Sequence, residues 1–260
     1  MSARVPLGLA VIVGTGLAAV SCASAGPQTA SAHRPAVAAS SDAVVVTLPR
    51  DPTMLVFGDS WTWGRAATER DLGYAHRIGE TLGWPTTVDG ERASGYLRAG
   101  LEAGTYASRI RALPREPAPD LVVLQGSIND RAHDLSRFRD AVDEAWDALD
   151  AVYPDARLVV VGPAPQVLPV EPGTQRIDEL LRAAAASRAV PYISPIDAEW
   201  ITTANYDAFI DTSTAGNDHP SDAGHAYLAE RLVEALGEVA VLDDPVVALE
   251  ETPAPAPDEG

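Results

Sequence analysis

Lysine is absent from this chain of 260 residues: all 19 basic side chains are arginine, against 37 acidic ones, for a formal charge of -18. That balance argues against nucleic acid as a partner, because phosphate binding needs a basic stripe. Without lysine there is no G-K-[ST] ending, so the glycines between Gly58 and Gly64 do not make a phosphate loop. A single cysteine excludes an intrachain disulfide framework and a cysteine-built zinc site. Long apolar runs are scarce as well. The uncharged, mostly apolar stretch of residues 5–20 is too short and too interrupted by glycine for a comfortable membrane span. The 46% hydrophobic share nevertheless exceeds what a disordered chain carries.

The two ends differ from the middle. Residues 1–25 have the form of an export signal: Arg4, the uncharged stretch, then Ala19-Val20-Ser21-Cys22. The last four resemble a bacterial lipobox, with Ala19 where leucine is usual, which makes Cys22 the candidate lipid attachment point. Cleavage after Ala23-Ser24-Ala25, discarding Cys22, is the rival reading, and an uncleaved anchor is a third. Residues 26–50, rich in Ala, Ser and Pro, suit a flexible tether. Residues 243–260 carry six acids, no base and a Pro-Ala-Pro-Ala-Pro run, a composition expected to stay disordered. One domain over residues 51–242 remains. The expected location is the cell envelope or the exterior, with membrane contact only through the N-terminal lipid.

Within that domain, Met54-Leu55-Val56-Phe57, Leu121-Val122-Val123-Leu124 and Leu158-Val159-Val160-Val161 are continuous apolar runs, each ending at or near a glycine. Val190-Pro191-Tyr192-Ile193 and the segment from Thr86 to Val88 are weaker ones. Continuous rather than alternating apolar runs predict strands buried on both faces, as in parallel sheets. Between them, Leu135, Phe138, Val142, Ala145, Leu149 and Val152 mark one helical face, with Asp134 as cap and Pro154 as stop. Ile177, Leu180, Leu181 and Ala184 mark a second. Tyr227, Leu228, Leu232, Ala235 and Leu236 mark a third, with Ser221 or Asp222 as cap and Gly237 as stop. Shorter helices are expected around 74–82 and 104–112. Alternating strands and helices imply an α/β layered fold with a mainly parallel sheet, whose ligands sit at the carboxyl ends of the strands.

Three loops fall at that edge. The first run enters Gly58-Asp59-Ser60-Trp61-Thr62-Trp63-Gly64, where Ser60 is held at the sheet edge and can open a helix, as nucleophile or merely as cap. Another run enters Gln125-Gly126-Ser127-Ile128-Asn129-Asp130, placing the Asn129 amide as a donor or a turn residue. Near the C-terminus, Asn217-Asp218-His219-Pro220 fixes His219 with a proline, as a general base requires; His225 is read as structural support. Trp61 and Trp63 flank the serine, as pocket lining or as packing.

Together these blocks resemble the SGNH hydrolase superfamily, also called GDSL-type esterases, over roughly residues 52–240. Gly58-Asp59-Ser60 matches the first block, and Gly126-Ser127-Ile128-Asn129-Asp130 the third, with one extra residue. His219-Pro220 followed by Gly224-His225 matches the last. Ala93-Ser94-Gly95-Tyr96 resembles the second, whose glycine offers a backbone N–H; Gly95 is the assignment, with Ala93 the alternative aligned position. The resemblance implies a flavodoxin-like, three-layer α/β/α domain and metal-free, cofactor-free hydrolysis of a small acyl ester or an acylated glycan. Ser60 is then the nucleophile, His219 the base, and Ser60, Gly95 and Asn129 the oxyanion donors. One departure stands out. The family's acid lies three residues before the histidine, where this chain has Gly216. Asp218 is the first replacement, Asp211 the second, and a backbone carbonyl remains open. That departure motivates one rival, an impaired, glycan-binding module; a second rival, an O-acyltransferase, keeps the serine chemistry and passes the acyl group to a sugar hydroxyl.

Overall fold

The computed structural model describes residues 44–243. Cys22, the export signal, most of the expected tether and the tail from residue 244 onward lie outside them. The described chain opens on β1 (Val46–Leu48) and enters β2 (Met54–Gly58). Then come α1 (Tyr74–Leu82), β3 (Thr86–Gly90), α2 (Tyr106–Arg111), β4 (Leu121–Gln125), α3 (Phe138–Val152), β5 (Arg157–Val161), α4 (Pro172–Ser187) and β6 (Tyr192–Ile193). The last stretch holds α5 (Tyr206–Phe209), β7 (Ile210–Asp211), β8 (His219–Pro220), α6 (Asp222–Val239) and β9 (Ala240–Leu242).

Five strands form the central sheet in the order β3-β2-β4-β5-β6, every neighbouring pair parallel. This is the doubly wound, flavodoxin-like order, in which the chain reverses direction across the sheet between β2 and β4. Every residue of β2 and of β4 is buried, which is why their sequences run apolar without alternation. Side chains still alternate between the two faces. Leu55, Phe57, Val122 and Leu124 pack with Tyr106, Phe138, Trp146 and Leu181 from α2, α3 and α4. Met54, Val56, Leu121 and Val123 pack with Ile78, Leu228 and Leu232 from α1 and α6. Helices thus cover both faces, giving the expected three layers. Among the described residues, no helix is long and apolar enough to cross a membrane.

Three local expectations are corrected. No regular helix opens at Ser60: residues 60–66 form successive turns, and α1 starts only at Tyr74. Gly237 does not stop the last helix, which runs to Val239 before turning into β9. The segment read as tether through residue 50 contains β1, which pairs in parallel with β9. Its period was hidden because three residues are too few to show one, and because its partner lies almost 200 positions away. Leu48 is 1% exposed and belongs to the core face shared with α6. Leu48→Ala is therefore expected to cost about 2–4 kcal/mol in urea unfolding, whereas a tether position would cost nothing measurable.

Candidate active site

Ser60 is delivered by the end of β2. Gly58 leaves room there: a Cβ would stand 2.7 Å from Gln125 Oε1, and closer still to Thr62 Oγ1, so one of those side chains would have to shift. Asp59 then turns inward, fully buried, and its Oδ1 accepts the Trp61 N–H at 2.9 Å. The Asp59 and Ser60 carbonyls accept Trp63 and Arg65 N–H groups at 2.9 and 3.0 Å. The resulting knot of turns presents Ser60 at the carboxyl edge of the sheet, beside the β2/β4 reversal.

His219 arrives on β8, paired antiparallel with β7. Its Nε2 lies 2.8 Å from Ser60 Oγ. Nδ1 faces the carbonyls of Asn217 and Gly216 at 2.7 and 3.1 Å. Carbonyl oxygens only accept, so Nδ1 carries the hydrogen and the Nε2 lone pair faces the serine hydroxyl. Neither candidate acid makes this contact. The Asp211 carboxylate accepts the Ser213 N–H at 2.9 Å, and its carbonyl accepts the Asp218 N–H at 3.0 Å. Asp218 contributes only a field that favours a charged imidazole. The Asn217-Asp218 pair has a backbone reason instead. Both have left-handed φ, +54° and +57°, a region that Asn and Asp tolerate better than most residues. That turn brings the two carbonyls onto Nδ1. Burial holds the His219 pKa below its ordinary value. The Asn217 carbonyl opposes this, Arg65 adds to it, and Gly216 and Asp218 oppose it.

The two candidate backbone donors, Gly95 and Ala93, differ in whether their N–H is free. The Gly95 N–H is occupied, donating to the Arg98 carbonyl at 2.9 Å. A Cβ there would stand 2.6 Å from the Asp130 carboxylate, so this glycine serves close packing. Ala93, two residues earlier, lines the cleft together with Ser60, Asn129 and His219. It has a left-handed φ of +64°. Among the described residues no acceptor takes its N–H. Asn129 Nδ2 gives one hydrogen to the Ser94 carbonyl at 3.0 Å and retains a second. The cleft encloses about 390 Å³.

Residues 56–227 match the GDSL-like lipase/acylhydrolase family. The chain belongs to that family. It is 28% identical over 193 residues to a GDSL lipase of Mycobacterium tuberculosis, covering 68% of this chain and 78% of that one. Among solved structures, its fold resembles an aryl esterase of M. smegmatis, with a TM-score of 0.55 and 18% identity over 72% of this chain and 99% of the other. A carbohydrate acetylesterase of Sinorhizobium meliloti gives a TM-score of 0.56 at 16% identity, over 72% and 99%. This GDSL-family chain is a carboxylic ester hydrolase of three-layer α/β/α fold.

Around the dyad of this family member lies a second layer that the blocks alone do not reveal. Asp130 is fully buried and accepts the N–H groups of Tyr96, Leu97 and Arg98 at 2.8, 3.1 and 2.8 Å, along with the Ser127 hydroxyl. It ties the loop carrying Ala93 to the loop carrying Asn129. His225 is also fully buried. Nδ1 accepts the Tyr74 N–H at 3.2 Å and Nε2 donates to the Arg65 carbonyl at 3.1 Å, so it supports the serine loop from α6. Burial lowers its pKa to about 4. The two tryptophans do not line the cleft. Trp61 is core, 3% exposed, with its ring 6.2 Å from that of His219. Trp63 is held between the guanidinium groups of Arg70 and Arg92, at 4.6 and 4.9 Å.

Asp59 generates a prediction. Its Oδ2 meets no donor, so burial is incompletely compensated and pushes its pKa up to about 7, against lesser lowering by the Trp61 N–H, Gln125 and Arg109. Between its ordinary 3.8 and about 7 the folded state binds the proton that the unfolded state has released. This group therefore removes stability as pH rises through that window. Asp59→Asn should keep the turn and abolish the penalty. The melting temperature of the variant minus that of wild type should grow more positive from pH 4 to pH 7.5; a constant difference would contradict the assignment.

Proposed function

We propose that this protein is a serine esterase that hydrolyses O-acyl esters, O-acetyl esters of small alcohols or glycans among them, through a Ser60–His219 dyad. The carrying observation is the 2.8 Å Oγ–Nε2 contact combined with a tautomer set by two carbonyls. In this reading His219 takes the Ser60 proton as Oγ attacks the acyl carbon. The negative oxygen meets the Ser60 N–H, the Ala93 N–H and Asn129 Nδ2. His219 then returns the proton to the leaving alcohol, and water repeats the cycle on the acyl-serine. The name of one structural neighbour, a carbohydrate acetylesterase, supports an acetyl group. The missing D-x-x-H acid would favour a binding module, but an aligned nucleophile and base favour turnover. We also read the chain as exported and held at the cell envelope through Cys22, on its sequence alone.

An organophosphate adduct should map to Ser60, and Ser60→Ala should lose more than about a thousandfold in kcat on p-nitrophenyl acetate. Wild-type turnover by Ser60→Ala would sink the proposal. Asp218→Asn and Asp211→Asn should each keep kcat within a few-fold, whereas loss of a working triad acid costs about 10⁴.

The pH profile follows from the buried base. Neutral His219 is the active form, so kcat/KM falls as pH drops through its pKa. Because burial lowers that pKa, the midpoint of the acid limb should lie below 6.5. A midpoint above 7 would mean that an acid partners the imidazole after all.

A further inference from the structure

Four arginines line the cleft: Arg65, Arg92, Arg98 and Arg131. Only two carboxylates, Glu171 and Asp218, line it with them. In a chain with a net charge of -18 this is a local inversion of sign. The arginines come from three separate loops, after β2, after β3 and after β4, so no single helix face or sequence run explains the cluster.

Their pairing is uneven. Arg131 is neutralised by Glu171, Nε to Oε2 at 2.7 Å. Arg92 has only a 3.4 Å contact with Glu102, whose side chain is 74% exposed, and it is braced from the other side by the Trp63 ring. An exposed pair of that kind is worth little. Arg65 gives one N–H to the Ala215 carbonyl at 3.3 Å, and its charge is felt at His219. The exposed Arg98 side chain has no hydrogen-bond or carboxylate partner among the described residues. Its backbone N–H is pinned by Asp130 at 2.8 Å, so its root is fixed at the rim beside Ala93. Three guanidinium groups, on Arg65, Arg92 and Arg98, thus surround the oxyanion donors without a firm anionic partner. A guanidinium is a forked donor suited to carboxylate and phosphate oxygens.

We propose that the cleft selects esters that carry an anionic group, a carboxylate or a phosphate, close to the acylated oxygen, and that Arg98 with Arg92 and Arg65 seats that group. This rests on the serine-esterase reading and adds its substrate class. An acylated glycan bearing acid groups and an acyl ester of a phosphorylated alcohol share this chemistry.

The test compares 4-acetoxybenzoate with methyl 4-acetoxybenzoate, the same ester with its charge removed, and adds 4-acetoxyphenyl phosphate as the phosphate arm. The neutral methyl ester has the better leaving group, so intrinsic reactivity works against the expected result. At low ionic strength kcat/KM should favour a charged ester over the methyl ester by about tenfold, carried mainly in KM. The preference should shrink steeply in about 0.5 M NaCl as the charges are screened. Arg98→Gln should reduce the ratio several-fold, and Arg98→Glu should reverse it. Which of the two charged esters is preferred separates carboxylate from phosphate substrates. If the methyl ester is turned over as well as or better than both charged esters, the anionic-substrate proposal is overturned while the esterase reading stands. If no ester is turned over and no organophosphate adduct forms on Ser60, both fall.

Discussion

The active-site edge rests on one buried cation. Arg109, on α2, is 4% exposed, and its guanidinium reaches into the space beneath the cleft loops. Nη1 donates to the Gly58 carbonyl at 2.9 Å and to Ser94 Oγ at 2.8 Å. Nη2 donates to the carbonyl and the carboxylate of Asp89 at 2.9 and 2.6 Å. Nε faces Glu91 at 3.2 Å, and the group lies over the Phe57 ring at 4.1 Å. Gly58 ends β2 and precedes the serine loop; Asp89 is near the end of β3; Ser94 follows Ala93. One planar fork therefore sets the mutual position of the Ser60 turn and the loop carrying Ala93. Burying a charge costs several kcal/mol per ion unless its hydrogens are matched. Here the Asp89 carboxylate, two carbonyls and a hydroxyl accept its hydrogens, and the Glu91 carboxylate adds an opposite charge. Glu91 carries the link further, accepting the Glu102 and Ala103 N–H groups at 2.6 and 2.7 Å. Asp130 repeats the device from the loop after β4, with a buried carboxylate facing three successive N–H groups. Cation and anion together clamp the loop between β3 and α2, and that is why a loop without regular structure can hold an amide in place.

The orientation of His219 uses the opposite economy. A carboxylate on Nδ1 would fix the tautomer and also stabilise the imidazolium. Two carbonyls do only the first well, because each offers a partial rather than a full charge. The base accordingly stays neutral further into the acid range, in line with its burial and with the nearby Arg65 charge. In the proposed mechanism, serine deprotonation would then lean more heavily on the oxyanion donors, whose loops are cross-linked by Arg109 and Asp130.

Much of this was legible in the sequence, for a physical reason in each case. The strands buried on both faces wrote themselves as unbroken apolar runs. The helices showed their faces at spacings of three and four. Ser60, Asn129 and His219 were visible because loops at the carboxyl edge of a parallel sheet are where such residues can meet. What stayed hidden depends on backbone conformation or on distant pairing. Whether Ala93 or Gly95 offers a free N–H turns on the left-handed φ of one and the engagement of the other with Arg98; residue type does not encode that. Asp218 looked like an acid because it is one, yet its position is explained by the backbone angle it tolerates. The β1–β9 pairing joins segments at opposite ends of the fold and leaves no local pattern.

Charge gives the sharpest case of a sum that conceals its arrangement. A total of -18 with no lysine describes an acidic outside. Where the arginines sit matters more than how many there are. Many are absorbed on helix surfaces: Arg137 by Asp140, Arg139 by Asp143, Arg176 by Glu179 and Arg231 by Glu234, all within one helical turn. Arg109 is absorbed beneath the site. At the cleft, Arg65, Arg92 and Arg98 have no firm carboxylate partner among the described residues, and a concave, low-dielectric wall concentrates the field of such charges. Arginine suits that setting better than lysine, since it keeps its charge at every working pH and stacks on an aromatic ring, as Arg92 does on Trp63. The same field reaches the dyad, where Arg65 favours the neutral imidazole. In the proposed reading, the charge that would draw an anion toward the cleft is also one that favours the neutral His219 imidazole.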